Sequence, residues 1–199
     1  LDAAEGLLRD RGEVEFTMRE LAQASELSAA TPFNLFGSKV GVLFRLLERG
    51  LLAQHERLQR LPAGDPVERI LELAEGSVGI YTSDEAYYRP LLDAVLATPG
   101  HDTPPMLRTA TALWRESLRD AIDAGYLRPE VDPDLLALQF HVLYRGSLTM
   151  WLASHVSNEA WLDHLQHGVL LVLLGAARDS AHPDLRARLA PIRERLLAS

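Results

Sequence analysis

The stretch from Phe16 to Leu43, FTMRELAQASELSAATPFNLFGSKVGVL, leaves this chain the fewest options. Thr17 followed by Glu20 is a capping box, in which a threonine hydroxyl and a glutamate carboxylate each satisfy an amide that a helix start leaves open. Phe16 and Leu21 occupy the two positions of a hydrophobic staple across the same start. Ala22 is small enough for a second helix to cross closely. Ser28 is the next cap position, and Glu26-Leu27 leaves room only for a tight turn before Ala29–Leu35. Two short helices joined by about 3–4 residues form a helix-turn-helix, whose second helix enters the major groove of DNA.

Leu21-Ala22, Leu27-Ser28, Thr31, Phe33, Phe36 and Gly37-Ser38-Lys39 also keep the spacings of the DNA-binding domain of the tetracycline-repressor (TetR) family, which this region resembles. The resemblance runs over residues 1–50. Beyond them it extends to length, helical content and the phrase Gly125–Pro133, GYLRPEVDP. It implies an all-α protein with an N-terminal three-helix DNA-binding domain (1–48) and a C-terminal helical bundle for ligand binding and dimerisation (49–199). Four positions depart from the family pattern. Glu26 stands where a turn glycine is usual, so a non-glycine residue is expected at positive φ. Phe33 replaces a tyrosine and so lacks a hydroxyl for a phosphate. Val40-Gly41 replaces acidic residues after Lys39. Pro32 sits in the first turn of the second helix, where its missing N–H costs little.

Composition enters through charge. The chain carries 28 acidic and 20 basic residues, a net charge of −8, so any grip on DNA must come from locally placed cations. Lys39 is the only lysine, and it lies inside the motif. The absence of cysteine excludes a disulfide framework and thiolate chemistry and is compatible with a reducing cytoplasm. No secretory signal or membrane-spanning run is present, since the apolar window Val169–Ala177 is too short to cross a bilayer. The sequence begins at Leu1 within what reads as a helix, so the start of that helix and any basic arm before it are expected to lie outside it.

Helical spacing continues along the chain. Leu1–Arg11 is amphipathic and ends at Gly12. A longer helix is expected from Ser38 to about Leu61, broken by Pro62-Ala-Gly-Asp-Pro66. Asp65-Pro66 then starts another, and Ser83 is the expected cap of a segment kinked at Pro90. Thr98–Pro105 reads as a loop, Met106–Ile122 as a helix stopped near Gly125. Asp132-Pro133 begins a helix to about His155 and Ser157 another to Gly175. Both are apolar around most of their circumference, so each needs burial on more than one face. They are the expected homodimer interface, with Val169 and Leu173 as its test positions. A last helix from Pro183 carries a single stripe of Leu185, Leu189, Ile192 and Leu196.

Two sets of residues carry candidate chemistry. For duplex operator DNA they are Ala29, Ala30, Thr31, Phe33 and Asn34 on the second motif helix, with Thr17, Arg19, Ser28, Ser38 and Lys39 toward phosphates. Asparagine suits adenine, and alanine or a threonine methyl suits thymine, while no cation is present to grip guanine. For a small hydrophobic or aromatic effector, the resemblance points to Tyr88, Met106, Trp114, Phe140, His141, Tyr144 and Trp151, residues that taken singly also read as ordinary core. His164 and His167 are spaced to share a metal but lack a third ligand, and His101-Asp102 falls in a loop without further ligands; no metal or cofactor is expected. No phosphate-cradling glycine loop, Gly-x-Ser-x-Gly or carboxylate pair indicates an enzyme. The expected function is a ligand-responsive transcriptional regulator, a homodimeric repressor released from a near-palindromic operator by its effector. The alternative is an all-α dimeric small-molecule-binding protein or enzyme whose helix-turn-helix is only structural.

Overall fold

Local signals set most of the element boundaries. In a computed structural model, the described residues are 1–11, 14–59, 64–98 and 104–198, with side chains described except at 11, 54, 55, 57–59 and 104–110. They form α1 (Asp2–Arg11), α2 (Met18–Ala24), α3 (Ala30–Phe36), α4 (Lys39–Gln59), α5 (Pro66–Thr82), α6 (Glu85–Leu96), α7 (Pro104–Asp123), α8 (Pro133–Leu152), α9 (Asn158–Ala176) and α10 (His182–Ala198). Among the described residues the only extended pairing is one antiparallel bridge, Leu127 to Ala177. No described helix is long and apolar enough to cross a membrane.

The expected caps are mostly realised. Asp65 accepts from the amides of Val67 (2.7 Å) and Glu68 (3.3 Å), Asp132 from Asp134 and Leu135, and Ser157 from Ala160. Ser83 is a correction. Asp84, one residue on, caps α6 through the Tyr87 amide, while the Ser83 hydroxyl turns back to the Ile80 carbonyl at 2.8 Å. A carboxylate is the stronger acceptor for an amide at a helix start, where it also meets the positive end of the dipole.

Three helices end in the same way. After α2, α7 and α8 one residue adopts positive φ: Glu26 (54°), Gly125 (77°) and Ser154 (58°). The next residue's amide then reaches back five positions in a Schellman motif, Leu27 to Ala22, Tyr126 to Ala121 and His155 to Met150, each at 2.9 Å.

The chain divides into two compact units, Leu1–Glu56 with Ile80–Thr103, and Arg57–Gly79 with Pro104–Ser199. In the first, α2 packs on α1 and α3. Its buried side chains include Leu8, Phe16, Leu21, Val42, Leu43 and Leu46, joined by Tyr87, Leu91 and Leu92 of α6. In the second, α8 packs against α7 and α9, and α10 lies on α9. Its core is aromatic and aliphatic: Trp114, Phe140, Trp151, Trp161, Leu165, Leu170 and Leu173. The α10 stripe is realised, with Leu185 and Ile192 buried. Arg188 ties α10 to the start of α5, bonding Asp65, and Glu68 at 2.8 Å, while Tyr126 Oη donates to Asp65 at 3.3 Å.

Candidate nucleic-acid interface and effector unit

The helix-turn-helix starts at the predicted capping box. Thr17 Oγ1 accepts from the Glu20 amide at 3.1 Å, and Glu20 Oε2 accepts from the Thr17 amide at 2.7 Å. Phe16 and Leu21 are both buried at this start. Glu26 adopts the positive φ expected of it, so the turn is made without glycine. Ser28 differs from expectation. Its hydroxyl meets Thr31 Oγ1 at 2.8 Å rather than a backbone amide, and α3 starts two residues later, at Ala30. Pro32 is the buried residue of α3, its ring turned to the unit's interior in the first turn, where a missing N–H is harmless.

Opposite Pro32, α3 is open. Ala29, Ala30 and Asn34 are exposed, Thr31 is half-buried, and Phe33 and Leu35 are 52% and 64% exposed. Leu35 had no assigned role in the sequence; its exposure is decided by where Pro32 and Phe36 anchor the helix. No residue of α3 is charged.

The cations around it are placed differently from one another. Arg19 is exposed on α2 beside Thr17. Lys39 Nζ donates to the Val14 carbonyl and lies 5.2 Å from the centre of the Phe16 ring, so this ammonium fastens the start of α4 to the segment before α2. Ser38 caps α4, its Oγ accepting from the Gly41 amide at 3.1 Å. Gly41 is there for space: a Cβ at this position would come 2.0 Å from the Phe36 carbonyl oxygen. That explains a glycine which from the sequence appeared only as a departure from acidic residues.

A guanidinium network missed by the sequence reading stitches α1 to α4 and α6 in the first unit. Arg49 bonds Asp2 (2.6 Å) and Glu5, and Arg9 bonds Glu5 (3.0 Å) and Asp84. Arg9 also lies 4.5 Å from the centre of the Tyr87 ring. The hydrogen bond to Asp84, then that to Glu5, raises the pKa of Arg9 above the ordinary arginine value. Burial first, then the negative charge of Glu5, pushes Tyr87 up to about 12. The signal that could have found this network is the pattern of Asp2, Glu5 and Arg9 on successive turns of α1.

The aromatic candidates fall into distinct groups. Tyr88 meets Tyr81 and Tyr87 edge-on, at 5.2 and 4.8 Å between centroids, within the first unit. In the second unit Trp114 meets Phe140 edge-on at 5.3 Å. His141, Tyr144, Trp161 and Trp151 form a chain with spacings of 6.3, 6.5 and 4.6 Å. Trp161, absent from the sequence candidates, is its hub. Its indole N–H donates to Ser147 at 3.0 Å, while that of Trp151 donates to Asn158 at 2.7 Å. The Met106 side chain lies outside the described residues.

The two apolar helices also separate their faces. Val169 and Leu173 are fully buried in the chain's own core, which corrects their choice as interface positions. The residues left open are Leu135, Leu138, Val142 and Met150 on α8 and Leu171 on α9. Periodicity cannot separate these two faces when both are apolar.

The whole-chain backbone decides the fold family. Thermus thermophilus FadR, a TetR-family transcriptional repressor solved in complex with lauroyl-CoA, superposes with a TM-score of 0.76 at 24% identity, covering 89% of this chain and 94% of that one. The chain has the TetR-type fold. A TetR-family regulator from Pectobacterium atrosepticum gives a TM-score of 0.66 at 24% identity over 88% and 91% of the two chains. SmeT, the repressor of the Stenotrophomonas maltophilia multidrug efflux pump SmeDEF, gives 0.65 at 21% over 90% and 89%. No family sequence model matches the chain, and no curated protein matches it by sequence. The TetR-type fold has the helix-turn-helix toward the start of the chain and the helical bundle following.

Proposed function

We propose that the protein is a TetR-family transcriptional regulator, a cytoplasmic homodimeric repressor that binds a near-palindromic operator and leaves it when a small apolar effector binds. The observation that carries this is the open α3 face of a helix-turn-helix, set on a TetR-type fold shared over 89% of the chain. Residues 1–48 would hold the DNA contacts, and residues 49–199 the effector and the partner subunit. In the reader, Asn34 is the group able to bond a base edge bidentately, and Arg19 and the Thr17 and Ser38 hydroxyls face the phosphates. Lys39 contributes through its place at the start of α4.

Dimerisation through the exposed stripe of Leu135, Leu138 and Val142 with Leu171 would cover an apolar surface that water disfavours. Two-fold symmetry then presents two α3 helices to two half-sites, which is why the operator should be near-palindromic. The effector is expected among the second unit's aromatics, with His141 and Tyr144 as the polar groups of the Trp151–Trp161 chain. It shifts the DNA equilibrium only to the extent that it prefers the conformation that does not bind DNA. α4, which contributes to both units, is the element through which that preference would reach α3.

The test is selection from a random duplex library, followed by titration of the enriched duplex at several salt concentrations. Salt-dependent binding to a two-fold sequence is expected, weakened by Asn34→Ala at one base position and by Arg19→Ala at all sequences. Binding that neither substitution alters would overturn the assignment of α3. A compound screen followed by indole fluorescence then identifies an effector, since Trp114, Trp151 and Trp161 are all buried in the second unit.

A further inference from the structure

We propose that α3 reads its operator chiefly through the C5-methyl groups of thymines, gripped by Phe33 and Leu35 on either side of a single hydrogen-bonding residue, Asn34. This rests on the DNA-binding assignment and names the class of sequence that the site accepts. The geometry is simple. Ala30 and Asn34, four residues apart, form the ridge facing away from the buried Pro32. Phe33 and Leu35 flank Asn34, each roughly 100° around the helix from it, and are among the most exposed large apolar side chains in the protein.

A helix lying in the major groove along this ridge presents a carboxamide to the groove floor and an apolar side chain to each edge. What a groove edge offers such a side chain is the thymine methyl, the one apolar group among the major-groove patterns of the four bases. The competing readouts are missing. α3 carries no charge, so there is no arginine or lysine for the O6 and N7 of guanine, and no carboxylate for the N4 of cytosine. The Thr31 hydroxyl is engaged with Ser28. Lys39, the nearest cation on the C-terminal side, is tied to the Val14 carbonyl. With a net charge of −8, the protein also has little sequence-independent attraction to spend against a poor fit. Specificity then resides in shape and methyl burial around one adenine-directed amide, and each half-site should contain thymines flanking an adenine.

The decisive probe is deoxyuridine, which keeps every hydrogen-bonding group of thymine and deletes only the methyl. The full chain is titrated by fluorescence anisotropy with the enriched duplex and with the same duplex carrying deoxyuridine at the half-site thymines. Each methyl removed from a buried contact should weaken binding about fourfold, so two per half-site give upward of tenfold. The Phe33→Ala/Leu35→Ala double variant alters exposed positions, so it should fold. It should bind the thymine duplex more weakly and lose most of the discrimination against deoxyuridine. Salt-dependent binding in which thymine and deoxyuridine duplexes agree within twofold overturns methyl reading and leaves DNA binding standing. A double variant that still discriminates places the methyl contact elsewhere and overturns the role of Phe33 and Leu35. Loss of self-association in that variant, with discrimination unchanged, would show these side chains to be a protein contact instead. Failure of the wild-type chain to bind any selected duplex at low salt removes the DNA assignment itself, and this proposal with it.

Discussion

Replacing Glu26 by glycine should make the protein more stable, although it removes a side chain and adds no contact. Glu26 is held at a φ of 54° by two backbone bonds, its own amide to Gln23 (3.1 Å) and that of Leu27 to Ala22 (2.9 Å). An L-residue in this region pays roughly 1–2 kcal/mol for the approach of Cβ to the carbonyl oxygen, a term that glycine lacks. Glycine also gives the unfolded chain more freedom, which offsets about 0.4–1 kcal/mol. The net gain is about 0.5–1 kcal/mol, or roughly 1–4 °C in Tm for a chain of this size. Ser154, at 58° in the equivalent motif after α8, should respond in the same sense. Gly125, at 77° in the third motif, is the internal control, and Gly125→Ala should lose stability by about 1–2 kcal/mol. Glu26→Gln separates conformation from charge, because it keeps the Cβ and should gain little. The assay is thermal unfolding followed by circular dichroism at fixed protein concentration, since dimerisation makes Tm concentration-dependent. If Glu26→Gly and Ser154→Gly both lower Tm, or if Glu26→Gln matches the glycine variant, the backbone explanation is wrong.

Burial works to raise the pKa of Asp65, but the Glu68 and Val67 amides and Arg188 outweigh it, so the net shift is downward. An aspartate lowered on folding stabilises above its unfolded pKa, near 3.9, and that contribution is lost as the pH falls through the folded value. Asp65→Ala should therefore cost about 1–2 kcal/mol at neutral pH, mainly as a lost cap, and show a shallower acid decline than wild type below about pH 4, read from urea midpoints. Gly41→Ala drives a Cβ against the Phe36 carbonyl and should cost about 1–3 kcal/mol, with a matching loss of duplex binding in the same preparation. Val142→Arg, on the open face of α8, should give a folded monomer by light scattering, whereas Val169→Arg places a charge in the core and should fail to fold. A dimeric Val142→Arg protein with wild-type stability would move the subunit interface off this face.

Much of the fold was legible because its signals are local. Thr17 with Glu20, Asp65 with Pro66, Asp132 with Pro133 and Ser157 each satisfy amides within one turn, so neighbouring residue types were enough to find them. The positive φ of Glu26 was readable on another ground, the resemblance to a family that usually places a turn glycine at this position. The helix-turn-helix frame followed from these signals and helical spacing, and the all-α two-domain class from the family resemblance added to them.

What the sequence left open depends on partners distant along the chain. Whether Val169 or Leu171 faces inward cannot be told from an apolar run, because only the packing of α8 and α10 against α9 fills one side. Ser83 and Asp84 are adjacent and both able to cap; the structure chose Asp84, which also receives Arg9 from α1. The contacts of Lys39 with the Val14 carbonyl and the Phe16 ring also join segments that the sequence alone does not bring together. The aromatic residues followed the same rule, with Tyr88 grouped among first-unit tyrosines and Trp161 emerging as the hub of the second. By itself, the sequence determined most helix starts and stops, since hydrogen bonds between near neighbours decide them, with Ser28 and Ser83 as the exceptions. Only the tertiary structure determined which side of each helix is spent on the core and which remains available for DNA or a partner, because burial is a property of the whole packed chain.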